Sequence, residues 1–193
     1  METEQENFIV ENPLDLLSPD RFDITAKILY ARHREKGVQN VWASKVYEHH
    51  INVWGGFTEK DPPKSSKEDF YKAYHDVLDS VKEEGFIENK SFIPVHENGT
   101  LLNGSHRVAA AIQYNKPVVC KKSPIQAGQL GCSYSYFKNK KDIVSTGLLE
   151  EISDTMALEY LRLKKDTYLA TAYQHTFSNI NVVFNVFKKV LMF

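Results

Sequence analysis

Hydrophobic residues recur at helical spacing after Ser66, and this stretch carries the clearest pattern in the chain. Ser66 is suited to cap the first turn, and the apolar residues that follow lie at i, i+4, i+7 and i+11. These residues are Phe70, Tyr74, Val77 and Val81. The pattern predicts an amphipathic helix that buries this stripe.

Two earlier stretches also follow helical spacing. The first covers residues 18–37, where Ser18 and Pro19 are typical of a helix start, and the second covers residues 41–53. Residues 57–66 are rich in Pro, Ser, Lys and acidic residues, which is typical of a loop. The first third of the chain is therefore predicted to be helical, with a loop before the third helix.

Shorter apolar runs separated by turn residues predict a small sheet in the middle of the chain. We expect strands over residues 91–95 and 100–102, joined by a type I′ turn at the Asn-Gly pair 98–99. A short helix over residues 106–114 and a strand over 117–120 follow. The order is therefore hairpin, helix, strand.

The last third of the chain has a weaker pattern. Ser153 and Asp154 are expected to cap a helix that runs to Leu163. Residues 167–173 are β-branched and aromatic and predict a strand, and residues 177–193 are apolar in a pattern that fits a strand or a helix.

Composition and charge narrow the class of protein. The 193 residues carry 24 Lys and Arg against 25 Asp and Glu, a net charge of −1 that argues against nucleic acid as a partner. Two cysteines exclude a disulfide scaffold and fit buried thiols in a reducing compartment. With no signal-peptide pattern and no run of membrane-span length, we expect a cytoplasmic protein that does not bind a membrane.

Residues 103–107, Asn-Gly-Ser-His-Arg, combine several features of an anion-binding turn, and we call this segment the anion turn. Gly104 permits a backbone turn between a strand and a helix, and the next three residues fall on the first turn of that helix. First-turn amides carry partial positive charge and suit a phosphate. Arg107, His106 and the Ser105 hydroxyl add further donors.

The anion turn and its flanks resemble the ParB/sulfiredoxin superfamily, in which a glycine turn at a helix N-terminus holds nucleotide phosphates. Sulfiredoxins carry Gly-Cys-His-Arg where this chain has Gly-Ser-His-Arg, so Ser105 replaces the nucleophilic cysteine and sulfinic-acid reduction is not expected. Partition ParB proteins carry Gly-Glu-Arg-Arg, whereas free-serine kinases of this fold carry Asp-Gly-His-Thr-Arg. The resemblance covers about residues 66–122.

The resemblance implies an α+β fold with three parts in one compact domain. Residues 1–65 would form an N-terminal helical segment, residues 66–122 a ParB/sulfiredoxin-like core with a small mixed sheet, and residues 123–193 a C-terminal α/β extension. It also implies a kinase-like activity that transfers phosphate from ATP or ADP, with Mg²⁺, to a hydroxyl group of a small metabolite or sugar.

Site residues follow from this hypothesis. The resemblance implies that Asn103, Gly104, Ser105, His106 and Arg107 bind the nucleotide phosphates, and that an acid upstream acts on the acceptor hydroxyl. Beyond phosphate binding, we expect Glu59 or Asp61, together with His106, to act in catalysis. We expect Tyr47, His50 and Trp54 to bind the substrate. Glu59 is preferred because it follows a Gly-Gly-Phe segment on a loop that can fold over the turn, and Glu48 is a further candidate.

Two alternative functions stay open. One is a ParB-like nucleic-acid-binding or nuclease protein, for which the basic segment 31–36 would supply the contact surface, and the other is a non-catalytic nucleotide-binding domain of a larger glycan-assembly protein. A metal site at Glu48-His49-His50 is not expected, because adjacent histidines on a helix point about 100° apart. The rings we expect near the ligand are Tyr47, Trp54, Phe57, Tyr134, Tyr136 and Phe137.

Overall fold

A computed structural model describes residues 8–86, 91–124, 132–140 and 146–165. Within these ranges the chain is an α+β protein with six α-helices and a small mixed sheet, which confirms the predicted class. The strand predicted over residues 167–173 and the apolar segment 177–193 lie outside the described residues.

The elements have the following bounds. The helices are α1 Asp23–Glu35, α2 Val41–Gly55, α3 Lys67–Glu83, α4 Ser105–Tyr114, α5 Tyr134–Lys138 and α6 Thr146–Leu163. The strands are β1 Phe8–Glu11, β2 Glu59–Lys60, β3 Pro63–Lys64, β4 Ile93–His96 and β5 Val118–Ser123. Two short 3-10 helices, Pro13–Leu16 and Pro19–Arg21, precede α1.

The main sheet has the strand order β1-β5-β4. The central strand β5 is antiparallel to β1 and parallel to β4. Burial alternates along β4 and β5 with a period of two, so that one face is covered by the rest of the protein. The buried side chains are Ile93, Val95, Val118 and Cys120.

The two parallel strands β4 and β5 are joined through α4, as a parallel pair requires. After β4 the chain turns back on itself: Leu101 bridges to Val95, and the Leu102 amide donates to the Pro94 carbonyl oxygen at 3.0 Å. This return places the anion turn beside the start of β4.

Two details of the predicted hairpin are wrong. Residues 100–102 form a single bridge rather than a strand, because the chain leaves β4 at once to enter α4. The turn is not type I′, since that type needs two consecutive residues at positive φ and only Gly99 has one, at 84°. The Asn98 side chain instead accepts a hydrogen bond from the Thr100 amide at 3.0 Å.

The helices enclose a single core. Helix α1 packs against α2, α4 and α6, while α3 packs against α4 and α5 against α6. The residues Ala109–Ala111 of α4 are fully buried, and their small side chains let neighbouring helices approach closely. Helix α4, which begins at the anion turn, is thus held from several sides.

The helices α2 and α3 confirm their predictions closely. Ser66 caps α3 by accepting the Asp69 amide at 3.1 Å, and three of the four stripe residues are buried, with Val77 partly buried. Asn40 caps α2 by accepting the amides of Trp42 and Ala43. The loop predicted over residues 57–66 contains a short hairpin, β2–β3.

Two predicted helix starts are wrong. The Ser18 side chain makes no cap hydrogen bond, and Pro19 begins a 3-10 turn that is followed by α1 only at Asp23. Ser153 lies in the middle of α6 and is buried, so the helix starts earlier, at Thr146. A Ser-Asp pair in the interior of a helix resembles a cap in sequence, but burial against neighbouring helices decides the outcome.

Both cysteines are buried free thiols, and burial raises the pKa of Cys120 to about 11 and that of Cys132 to about 12. In the part of the chain that the structure describes, none of the helices combines the length and apolarity needed to cross a membrane.

Candidate functional site

A pocket of about 490 Å³ brings most of the predicted site residues together. The anion turn (residues 103–107) forms one part of its wall, and His50, Trp54, Glu59 and Asp61 form others. These groups come from α2, the β2–β3 hairpin and the start of α4, which are far apart in sequence. The structure therefore assembles one concave site from the separate candidates.

Gly104 is required by the geometry of the anion turn. Its φ of 93° lies in the left-handed region, and a Cβ at this position would lie 2.9 Å from Arg107 Nη2 and 3.0 Å from Ile93 Cδ1. The Gly104 amide is satisfied locally by Asn103 Oδ1 at 2.6 Å. The glycine thus allows the Arg107 guanidinium to lie directly against the backbone.

The start of α4 and Arg107 together form the positive part of the pocket. Val108 donates the first intrahelical hydrogen bond, to the Gly104 carbonyl, so the amides of residues 105–107 precede the helical ladder. Arg107 Nη1 donates to the Phe92 carbonyl at 2.6 Å, and among the described residues its guanidinium has no carboxylate partner. Burial lowers the pKa of Arg107. An anion here would meet both a cation and helix amides.

His106 is held beside Tyr47 at the back of the anion turn. The Tyr47 hydroxyl lies 3.0 Å from His106 Nε2 and 3.3 Å from the Phe70 carbonyl oxygen. Burial, with the positive charges of Lys27 and Lys64, lowers the pKa of His106 well below its usual value. His106 is therefore a neutral imidazole at pH 7. Tyr47 itself is buried and does not line the pocket, so it supports His106 rather than facing a ligand.

The acidic side of the pocket lies on the β2–β3 hairpin. Glu59 on β2 pairs with Lys64 on the opposite strand, where the two residues are in register. Lys64 also lies over the Phe70 ring, 5.0 Å from its centroid. Asp61 lines the same pocket and is exposed. Glu59 is therefore held in place, while Asp61 faces solvent beside it.

His50 is an unusual side chain in this pocket. It is only 2% exposed, and neither of its ring nitrogens has a hydrogen-bond partner among the described residues. Burial and the nearby Lys27 charge lower its pKa well below the usual value, so the ring is neutral. Buried polar atoms are normally paired. The backbone of Val46 and Tyr47, one turn earlier on α2, acts on this imidazole but makes no hydrogen bond of ordinary geometry with it, so the ring can still pair with a ligand.

Sequence reasoning missed a buried ion cluster in the pocket wall, formed by Arg21, Asp23 and Lys27. Arg21 makes a bidentate contact with Asp23 at 3.0 and 3.1 Å, and Lys27 Nζ lies 2.8 Å from Asp23 Oδ2. In the sequence, the cluster is indicated only by three charged residues, at positions i, i+2 and i+6, within an otherwise apolar stretch. Charged residues with this spacing more often lie on a solvent-exposed helix face.

The aromatic residues divide between core and pocket. Trp54, which was expected to bind the substrate, is 56% exposed and lines the pocket, as does the buried Phe137. The other rings expected near the ligand, Tyr47, Phe57, Tyr134 and Tyr136, do not line the pocket. Trp54 is thus an exposed ring at the site that can stack on a planar group.

Mg²⁺ would find a limited set of ligands here. Within the described ranges, no group of three or more His, Cys, Asp and Glu side chains is placed to hold a metal ion. Glu59 and Asp61 nevertheless fit Mg²⁺, which is commonly bound by one or two carboxylates together with substrate phosphates and water. The neighbouring His49 is buried with Nε2 unpaired and does not line the pocket.

The basic end of α1 is largely neutralised. Arg32 pairs with Glu159 at 2.7 Å and Arg34 with Asp79 at 2.9 Å. These ion pairs reduce the positive potential that an unspecific contact with nucleic acid would need.

Comparisons with other proteins leave the assignment to the chemistry of the pocket. No family model, no curated protein and no solved structure matches this chain.

Proposed function

We propose that this protein is a nucleotide-dependent phosphotransferase that transfers phosphate from ATP or ADP to a hydroxyl group of a small metabolite or sugar. The supporting observation is the Arg107 guanidinium, which has no acid partner among the described residues and lies beside the first-turn amides of α4 in a pocket. This combination suits a phosphate group. The β4–α4–β5 arrangement around it supports a ParB/sulfiredoxin-like core.

The anion turn would bind the phosphates of the nucleotide. The first residues of α4, including Arg107, line the same pocket, and neutral His106 adds a hydrogen-bonding group without adding charge. Trp54 offers an exposed ring for the base or the sugar. Mg²⁺, when bound by Asp61, would neutralise charge that develops on the phosphates.

In this proposal Glu59 acts on the acceptor. In the proposed reaction the acceptor oxygen forms a bond to phosphorus, the bond from phosphorus to the nucleotide oxygen breaks, and the hydroxyl proton passes to the Glu59 carboxylate. The Lys64 ammonium fixes the position of that carboxylate. Asp61 on the same hairpin is the alternative acid.

Nucleotide binding tests the proposal directly. Calorimetric titrations of ATP, ADP and CTP with Mg²⁺ should show saturable binding of at least one of them. Arg107→Ala should weaken that binding by about 10- to 100-fold, the cost of about 1.5–3 kcal/mol for a hydrogen bond to a charged group. Arg34→Ala, which removes a half-buried arginine outside the pocket, is the matched control. If no nucleotide binds the wild-type chain, the proposal is overturned.

Turnover separates the proposed activity from its alternatives. With a panel of hydroxyl compounds, phosphorus NMR should detect a new phosphate ester, and Glu59→Gln should abolish it while nucleotide affinity stays within about threefold. Nucleotide binding without any ester would support a non-catalytic binding domain instead. Salt-sensitive binding of DNA at low ionic strength would support the nucleic-acid alternative.

A further inference from the structure

The buried ion cluster of Arg21, Asp23 and Lys27 forms a part of the pocket that the anion turn does not use. All three residues are buried, at 4–6% exposure, although each lines the pocket. Arg21 Nη1 donates to the Leu101 carbonyl at 3.0 Å, which fixes the guanidinium against the chain that leads into the anion turn. The cluster is therefore rigid and lies near the phosphate-binding end without being part of it.

The cluster carries one positive charge in excess. Two cations, Arg21 and Lys27, share the single carboxylate of Asp23. Burial alone would raise the pKa of the Asp23 carboxyl, but Lys27 and Arg21 together lower it well below its usual range, so it is ionised. Burial lowers the pKa of Lys27, and Asp23 only partly opposes this. A buried charge without a counter-ion is costly, and a bound anion would remove that cost.

His50 is a second and independent indication at the same wall. Its ring is buried, lines the pocket, and has two unpaired nitrogens among the described residues. Lys27 is close enough to His50 to lower the pKa of the imidazole. A neutral imidazole offers one donor and one acceptor, which complements a hydroxyl or a protonated oxygen next to an anionic group.

We propose that Lys27, Arg21 and His50 form a second subsite, which binds a compact anionic group, a carboxylate or a phosphate, of the acceptor. The assignment of this group to the acceptor rests on the proposed phosphotransferase function. It narrows the acceptor from any hydroxyl compound to one that carries its own negative charge. The pocket wall then carries two anion-binding groups, the anion turn with Arg107 for the nucleotide phosphates and the cluster with Lys27 for the acceptor anion.

Titrations with small probes test this subsite on the full chain. The probes are inorganic phosphate, glycerate as a hydroxy-carboxylate and glycerol as its uncharged match, followed by calorimetry and by histidine ring NMR, with and without ADP and Mg²⁺. We expect phosphate or glycerate to saturate the wild type, whereas glycerol does not bind. Which of the two anions binds distinguishes a phosphate from a carboxylate group on the acceptor.

Three substitutions locate the binding. Lys27→Met, which leaves the neutral Arg21–Asp23 pair, should weaken binding of the anion at least tenfold, and His50→Gln should weaken it at least threefold. Lys60→Met, on an exposed hairpin position outside the pocket, should change nothing. Arg107→Ala should bind the anion as the wild type does but should bind ADP more weakly. Should Lys27→Met fail to fold, His50→Gln and the shift of the His50 ring signals in the wild type still decide the question.

Equal anion binding by the wild type, Lys27→Met and His50→Gln overturns the subsite, as does glycerol binding as tightly as glycerate. Failure of both anions to bind the wild type overturns it as well. Anion binding that depends on Lys27 in a protein that binds no nucleotide keeps the subsite and removes the phosphotransferase function. Nucleotide binding without anion binding removes the subsite and leaves the proposed phosphotransferase function standing.

Discussion

Gly104 is the residue on which the shape of the anion turn depends. Replacement by Ala combines a strained positive φ, about 1–2 kcal/mol, with a Cβ that must displace Arg107 and Ile93, about 1–3 kcal/mol. We expect Gly104→Ala to lower the free energy of unfolding by about 2–5 kcal/mol and to weaken nucleotide binding, because Arg107 moves. Urea unfolding and calorimetry measure the two effects.

Gly99→Ala is a closely matched control for this substitution. Gly99 has a similar φ of 84°, but a Cβ there would meet nothing within 4 Å. Gly99→Ala should therefore lower the free energy of unfolding by only about 1–2 kcal/mol, the backbone strain of a left-handed residue that carries a side chain. It should bind nucleotide as the wild type does. If the two alanine variants behave alike, the close contact of Gly104 with Arg107 has no role in binding.

The neutral His50 predicts a stability that falls at mildly acidic pH. The pKa of His50 in the folded protein is well below its value of about 6.5 in the unfolded chain. Below pH 6.5 the unfolded chain therefore binds a proton that the folded protein does not, and the folded state loses about 1.4 kcal/mol per pH unit from this group. Above pH 6.5 both forms are neutral and the effect vanishes.

The difference between the wild type and His50→Gln isolates this contribution. Four other histidines with lowered pKa values add to the slope of both proteins: His33, His49, His75 and His106. Chemical unfolding between pH 7 and pH 5 should give a shallower slope for His50→Gln. The Asp23 carboxyl acts in another window, since its stabilisation is lost only as pH falls below about 3.9. Identical slopes for the two proteins would contradict a buried neutral His50.

At the scale of elements, the sequence predicts a helix well when its cap and its apolar stripe lie in one continuous segment. Helix α3 has both its cap at Ser66 and its stripe within one short stretch, and it forms as predicted. The β2–β3 hairpin was missed because each strand has two residues, and a pair that short leaves no alternating pattern. Its position beside α3 depends on contacts such as that of Lys64 with the Phe70 ring, which no periodicity shows.

The site could be predicted in part for the same reason. The anion turn is one continuous segment, so its glycine, amides and arginine can be recognised together. The buried ion cluster could not, because Arg21, Asp23 and Lys27 become pocket residues only when α1 packs beside α4 and α2. Burial of charge is a property of packing rather than of a local sequence pattern.

Substitution of Asn40 tests how much its cap of α2 contributes to stability. Its Oδ1 accepts the amides of Trp42 and Ala43 at 3.0 and 3.1 Å. Asn40→Ala should lower the free energy of unfolding by about 1 kcal/mol, because those amides lose their partner. The same substitution at Asn52, inside α2, should cost nothing, since Ala is the better helix former. Equal effects of the two variants in urea unfolding would show that the cap is unimportant.

At the scale of the whole molecule, the pocket depends on helices that do not contribute to it. Helix α6 lines no part of the pocket, but it packs on α1, which carries Asp23 and Lys27, and on α5, which carries Phe137. The connection is electrostatic as well as apolar. Glu159 on α6 is 3% exposed and accepts hydrogen bonds from Arg32 on α1 and from Arg162 one turn further along α6.

Glu159 therefore pairs with two arginines, and neutralising its charge should lower the stability of the whole fold. Glu159→Gln leaves both cations without a counter-ion, and we expect a loss of about 2 kcal/mol, below the 3–5 kcal/mol of fully enclosed pairs because the arginines reach solvent. For a chain of this size that is a fall in melting temperature of about 4–8 °C. Asp79→Asn, which breaks the exposed pair with Arg34, should cost less than about 1 kcal/mol. Equal melting temperatures for the two variants would mean that α6 is held by apolar packing alone.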